Sequence, residues 1–448
     1  MISIINALIV NEGRVFRGNL KIDHTILTDV VECGSDFVAE GEVIDAHGGY
    51  VMPGVIDEHV HFREPGLTQK ADIWSESRAA VAGGVTSFFD MPNTKPQTTT
   101  LADLKAKQAL GAEKSLVNYA FYIGATNDNA PVLEQVDPSS IPAIKLFMGA
   151  STGNMLVESP CALHQIFDIA SQRHLPIVTH CEDTAQIAIN EAKVKSAVGP
   201  DAGVEYHPVI RNEMVCADST RKAVTMALDS GAKLLVAHVS TGAEINEIAC
   251  ADAPNIKAEV CVAYLYFCSD DYAALGGRIK CNPAIKEVAN QEALLKALSG
   301  GEVYTVATDH APHLLADKEG GVFKAASGMP SVQFSLPLTL QLVDRGLIGI
   351  TKVAELMSHN PARFFGVVRR GFIRPGYKAD LVIVDHLPQA HTITDADVVS
   401  KCGWTPYAGK QVNWQVNTTI CNGTIVYRHD EGFTAPDYRG EAIEFEHD

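Results

Sequence analysis

His59 and His61 stand two residues apart in DEHVHFREPG, residues 57 to 66, just after the short apolar run Tyr50-Val51-Met52-Pro53-Gly54-Val55-Ile56. Side chains on a strand alternate faces, so positions i and i+2 project together. Two imidazoles leaving a strand end side by side make half of a metal site, and neutral imidazole is a common zinc ligand. Taken alone, the same spacing equally describes a pair of satisfied polar histidines. Other apolar runs also contain or end in such residues: Asp90 with Asn93, Lys145, His180, His238 and Asp309. One histidine closing a strand is ordinary. Several strands ending this way point to a shared centre that binds metal, moves protons or holds a ligand.

The elements that must carry these residues can be counted. From Val51 onward, apolar runs of about five residues alternate with amphipathic stretches. After the first run come 85–89, 116–123, 143–147, 176–179, 234–237, 256–262 and 303–307, which makes eight. Helical stretches at 101–114, 161–174 and 217–230 lie between them. This alternation predicts a parallel (β/α)8 TIM barrel, whose functional groups cluster at the C-terminal ends of the strands. Residues 1 to about 50 contain short alternating segments, 2–10 and 18–22, separated by Asn, Gly and Asp. These predict hairpin strands. The helical rhythm stops again after about residue 365, where strands are expected at 379–385 and 421–427. The expected fold is therefore α/β: a barrel over 53–364 and a small composite β-sandwich built from 1–52 and 365–448.

Composition narrows the function classes. The 448 residues are 46% hydrophobic and 20% charged, with a formal net charge of −18. That charge, without a basic tract, argues against nucleic acid, although one local arginine can still meet an anionic ligand. The ten cysteines show no CxxC spacing, which suits reduced thiols. The N-terminus lacks the basic start and long apolar core of a signal peptide, and no run is long enough to span a membrane. A cytoplasmic protein with neither nucleic-acid nor membrane partners is expected.

The motifs DEHVHFREPG (57–66), DMPNTKP (90–96), AIKLFMGAST (143–152), THCED (179–183), AHVST (237–241), KCNP (280–283) and TDHAPH (308–313) resemble the amidohydrolase superfamily, and within it the dihydroorotase family. The resemblance covers essentially the whole chain. It implies two zinc ions, one held by His59, His61 and Asp309 and the other by His180 and His238. It also implies that Lys145 bridges them as a carbamate. An ordinary ammonium inside the apolar strand KLFMG would be expensive to bury, and carboxylation removes that problem. Asp309 would carry the proton to the leaving ring nitrogen. Arg63, two residues past His61, could grip a substrate carboxylate with a two-pronged hydrogen bond. The resemblance adds Asn93 and His313 to that carboxylate pocket, gives Asn282 a ring contact, and sets Gly328 and Met329 where backbone groups close the ring pocket. The implied activity is reversible hydrolysis of a cyclic amide. Allantoinase or dihydropyrimidinase-like hydrolysis is the near alternative, and a non-catalytic barrel acting as an assembly partner the distant one. A homo-oligomer is also compatible. Loops near 154–158 and Gly320 carry the small residues of lids.

Overall fold

The computed structural model describes residues 1–149 and 155–447. Eight parallel strands form the barrel: β1 (Val55–Val60), which takes only the end of the first apolar run because Tyr50–Pro53 joins the terminal sheet, β2 (Val85–Asp90), β3 (Asn118–Phe121), β4 (Ile144–Phe147), β5 (Ile177–His180), β6 (Leu234–Val236), β7 (Ile256–Cys261) and β8 (Val303–Ala307). Nearly every residue in them is buried, as expected of a parallel sheet covered on both faces. β3 breaks at Tyr122 and resumes as Ile123–Gly124, which pairs with β4. The ring closes where Val60 bridges His310 and the His61 N–H donates to the His310 carbonyl at 2.7 Å.

Helices start promptly after the strand ends because side-chain caps stand there. Asp72, Thr100, Ser159, Asp183, Asn212 and Thr241 each accept a backbone N–H in the first turn of the following helix. Such caps satisfy amides that have no intrahelical partner. The barrel interior is packed. Phe365, at the end of the helix Asn360–Phe365, sets its ring 5.2 Å from Phe89 and 6.4 Å from Tyr122.

Strands from both ends of the chain hydrogen-bond into one eight-stranded sheet. Its order runs Thr424–Arg428, Gln411–Cys421, Leu381–Thr392, Tyr50–Pro53, Ile2–Asn11, Arg14–Asp23, Ile26–Glu32, with Glu42–Asp45 beside Ile2–Asn11. Its apolar face draws on both termini, with Ile4, Ile9 and Leu20 packing among Leu381, Ile383 and Ile420. The expected strand over 421–427 is instead a hairpin. Asn422 and Gly423 both adopt positive φ, 45° and 72°, the geometry that lets an Asn-Gly pair reverse the chain in two residues. Among the described residues, no helix is long and apolar enough to cross a membrane.

Candidate active site

One cavity of about 470 Å³ gathers His59, His61, Arg63, Asn93, Lys145, His180, His238, Asn282, Asp309 and His313, which come from nearly every strand end. Three of them hold unusual backbones. Arg63, His238 and Asp309 have φ of 68°, 41° and 46°. Non-glycine residues sit in the left-handed region at a cost, and such conformations cluster at functional sites. Asp90 does not line the cavity. Its Oδ1 instead accepts the Phe62 N–H at 2.7 Å and so fixes the chain between His61 and Arg63.

The histidines are oriented from behind. His59 Nδ1 lies 2.7 Å from Glu259 Oε1, which leaves Nε2 facing Asp309 Oδ1 at 3.4 Å. His61 Nδ1 lies 2.8 Å from Asn93 Oδ1, and its Nε2 is 3.0 Å from the same Asp309 oxygen. His180 is turned the other way: Nε2 meets Glu182 Oε2 at 2.8 Å, and Nδ1 lies 2.9 Å from His238 Nε2. Tying one ring nitrogen to a carboxylate or amide fixes the tautomer and aims the other nitrogen at a metal. Two groups of candidate donors result. His59, His61 and Asp309 bring ligand atoms within 4.8 Å of one another, and His180 with His238 forms the second set.

Charge suits this arrangement. Burial chiefly pushes the His61, His180 and His238 pKa values down, which favours the neutral imidazole a metal needs. Burial raises the Asp309 pKa, but His59, His61 and Lys145 outweigh it and hold the carboxyl at about 2. Glu182 is likewise buried, yet the Arg211 guanidinium and His180 bring it to about 2. Lys145 is 1% exposed, and its Nζ has no hydrogen-bond partner. Burial lowers its pKa to about 8 despite Glu259 and Asp309. An orphaned buried amine lining the same cavity as these nitrogen and oxygen donors suits a site that holds a group beyond the polypeptide. The residues present fit a divalent metal centre such as zinc.

Beside the metal donors lies a cationic pocket. Arg63 is buried, donating through Nε to the Pro312 carbonyl at 3.0 Å, and its Nη2 lies 3.1 Å from His313 Nε2. Among the described residues its hydrogen-bond contacts are a carbonyl and an imidazole and no carboxylate is bonded to it, although Asp309, Asp90 and Glu76 favour its charge from farther off. Lys70 Nζ lies 3.0 Å from His313 Nδ1, and Lys95 also lines the cavity. Asn93 spends Oδ1 on His61, so its N–H groups remain for a ligand. Asn282 Oδ1 is held 3.0 Å from His207 Nε2, which leaves its amide nitrogen free in the same way. Gly328 lines the cavity; Met329 instead binds the Ala311 N–H through its carbonyl at 2.8 Å.

Several contributors have no counterpart in the sequence reading. Glu259 is a carboxylate inside the apolar strand β7, the same anomaly that drew attention to Lys145. Trp404 donates to the His313 carbonyl at 2.8 Å from a segment between two strands of the terminal sheet, where nothing in the local pattern marks it. The segment near Gly320 is not free. Val322 donates to the Ala202 carbonyl at 2.9 Å and packs among Ile187, Val194 and Ile210. Asn154 of the other candidate lid lies outside the described residues.

Comparison with known proteins matches this geometry to a family. The chain is 34% identical to a dihydroorotase of Halobacterium salinarum, covering 87% of this chain and 90% of that protein. It is 31% identical to an allantoinase of Desulfitobacterium hafniense, covering 88% of each. Among solved structures, an L-hydantoinase (dihydropyrimidinase) from Arthrobacter aurescens superposes with a TM-score of 0.92 at 26% identity, covering 99% of both chains. The family model for amidohydrolases matches residues 50–426, a span that holds both donor sets and the cationic pocket, and the chain belongs to the amidohydrolase family.

Proposed function

We propose that the protein is a zinc-dependent dihydroorotase, interconverting L-dihydroorotate and N-carbamoyl-L-aspartate in pyrimidine synthesis. The observation that carries this reading is Arg63: a buried guanidinium beside the metal donors with no carboxylate bonded to it. Asp309, Asp90 and Glu76 offset the cost of desolvating that charge only in part, and a ligand anion would complete the compensation. The carboxylate on the dihydroorotate ring fits this need. Allantoin and unsubstituted hydantoins carry none, although the 31% identical allantoinase keeps that substrate as the second reading.

His59, His61 and Asp309 would hold one zinc ion and His180 with His238 the second, with Lys145 bridging them as a carbamate. The amine of Lys145, with its pKa near 8, keeps a minor neutral fraction at neutral pH, far larger than an ordinary lysine's. That fraction can attack carbon dioxide and lose a proton, and the resulting anion no longer opposes burial. When bound, the metal ions supply Lewis acidity that activates water and polarises the amide carbonyl.

The chain's own residues do the rest. Arg63, assisted by Asn93 and His313, grips the substrate carboxylate and sets the ring amide over the donor sets, and Asn282 steadies the ring edge. Asp309, ionised at neutral pH, accepts the proton released as water attacks and delivers it to the departing ring nitrogen. In the direction of ring closure it takes the proton from the ureido nitrogen. The ten free cysteines fit a reducing, cytoplasmic setting for an enzyme acting on a small molecule. Rates with L-dihydroorotate, allantoin and hydantoin test the assignment: the first should be hydrolysed well ahead of the other two, and a preference for allantoin would favour the second reading.

A further inference from the structure

Lys318 ends a short turn, Leu315–Lys318, and is buried at 4% exposure without a carboxylate beside its Nζ. Its three hydrogen bonds all go to backbone carbonyls, Lys280 at 2.8 Å, Ala326 at 2.6 Å and Gly328 at 2.6 Å, and Nζ also lies 5.9 Å from the Trp404 ring centre. An ammonium has three hydrogens and no acceptor, so three converging carbonyls match it fully. These carbonyls belong to two different loops. One leads directly into Cys281 and Asn282; the other is Ala326-Ser327-Gly328, and Asn282 with all three of these residues lines the cavity.

Other bonds reinforce the same junction. Gly328 N–H donates to the Lys280 carbonyl at 2.9 Å, and Ala326 N–H to that of Asp317 at 2.7 Å. Lys280 Nζ reaches the Ala325 carbonyl. His313 Nε2 lies 3.0 Å from the Ser327 carbonyl, which ties the junction to the carboxylate pocket. The fit is close: Gly328 has φ of 136°, and a Cβ there would lie 2.6 Å from the Ala311 carbonyl oxygen. Burial lowers the Lys318 pKa to about 7, so at neutral pH the junction is held by ammonium and neutral amine alike, and both still donate to these carbonyls.

We propose that Lys318 is a positioning residue of the ring pocket, clamping the Asn282 loop to the Ser327–Gly328 loop so that both meet the substrate in a fixed geometry. This inference rests on the dihydroorotase reading. Clamping acts on substrate fit and leaves the metal donors alone, because none of the three carbonyls belongs to a metal-donor residue.

The test is Lys318→Met, which keeps the length of the side chain and removes every donor, with Lys318→Gln as a smaller variant retaining two N–H hydrogens. Steady-state kinetics with L-dihydroorotate, bound zinc and amide hydrogen exchange over 280–282 and 325–329 are measured for each. The expected result is a KM raised at least tenfold with kcat within about threefold, unchanged zinc, and faster exchange in both loops. Lys318→Gln should fall between wild type and Lys318→Met, and it decides the matter if Lys318→Met does not fold. Unchanged KM and exchange in a folded variant, or kcat and zinc falling together, would overturn the clamp. Absence of turnover in the zinc-loaded wild type would instead refute the underlying function, while faster loop exchange in the variants would still report the clamp.

Discussion

Glu259 Oε1 sits 2.7 Å from His59 Nδ1, with both side chains almost fully buried, so the strand β7 dictates which nitrogen of a β1 histidine faces the cavity. The same oxygen accepts the backbone N–H of His238 at 2.9 Å, so one carboxylate orients the His59 ring and holds the backbone at His238. Glu259→Gln should weaken zinc binding by about 10- to 100-fold, the usual cost of losing an orienting partner behind a metal ligand. Competition with a zinc chelator measures it. Wild-type affinity in the variant would show that His59 needs no such support.

Arg63→Ala removes the guanidinium but none of the proposed metal donors. Hydrogen bonds to a charged group are worth ~1.5–3 kcal/mol, so KM for L-dihydroorotate should rise by about 10- to 150-fold. Zinc content should stay at the wild-type level. Equal loss of zinc and of substrate affinity would remove Arg63 from the carboxylate pocket.

How much of this site was legible beforehand depends on how local each signal is. The barrel strands and their terminal histidines read directly, because strand periodicity and the residue at a strand end are properties of a few neighbours. Lys145 stood out as a charge in an apolar run. Glu259 in IKAEVC carried the same signature and passes unnoticed only because no metal motif surrounds it. Trp404 and Lys318 were illegible for a different reason: their roles exist only across contacts between segments distant in sequence. The Asn422-Gly423 hairpin was a local signal, obscured by the apolar residues on both sides of it.

The pH dependence of substrate binding follows from Lys318 and not from His313. Burial, and then Arg63, Lys70 and Lys318, push its pKa well below the ordinary histidine value. It is therefore neutral on both sides of pH 6.5 and contributes no change of charge as pH rises from 6 to 8. Burial lowers Arg63 only to about 10, so it stays charged throughout. Burial brings Lys318 down to about 7, so KM for L-dihydroorotate should climb from pH 6 to 8 as the clamp loses one of its three N–H donors. The same climb in Lys318→Met would assign the titration to another group.

Stability should depend on the plug beneath the site. Phe365 is fully buried against Phe89 and Tyr122, and Phe365→Ala leaves a cavity there. The expected loss is ~3–5 kcal/mol in chemical denaturation. A loss below about 1 kcal/mol would mean that the barrel floor collapses to fill the space.

The central claim is that this constellation hydrolyses L-dihydroorotate with metal held by His59, His61, Asp309, His180 and His238. The most direct measurement is the loss of L-dihydroorotate absorbance with the purified protein, before and after chelation and again after zinc is restored. Turnover that disappears on chelation and returns with zinc is the predicted result. No turnover from zinc-loaded protein, or turnover indifferent to chelation, would contradict the account.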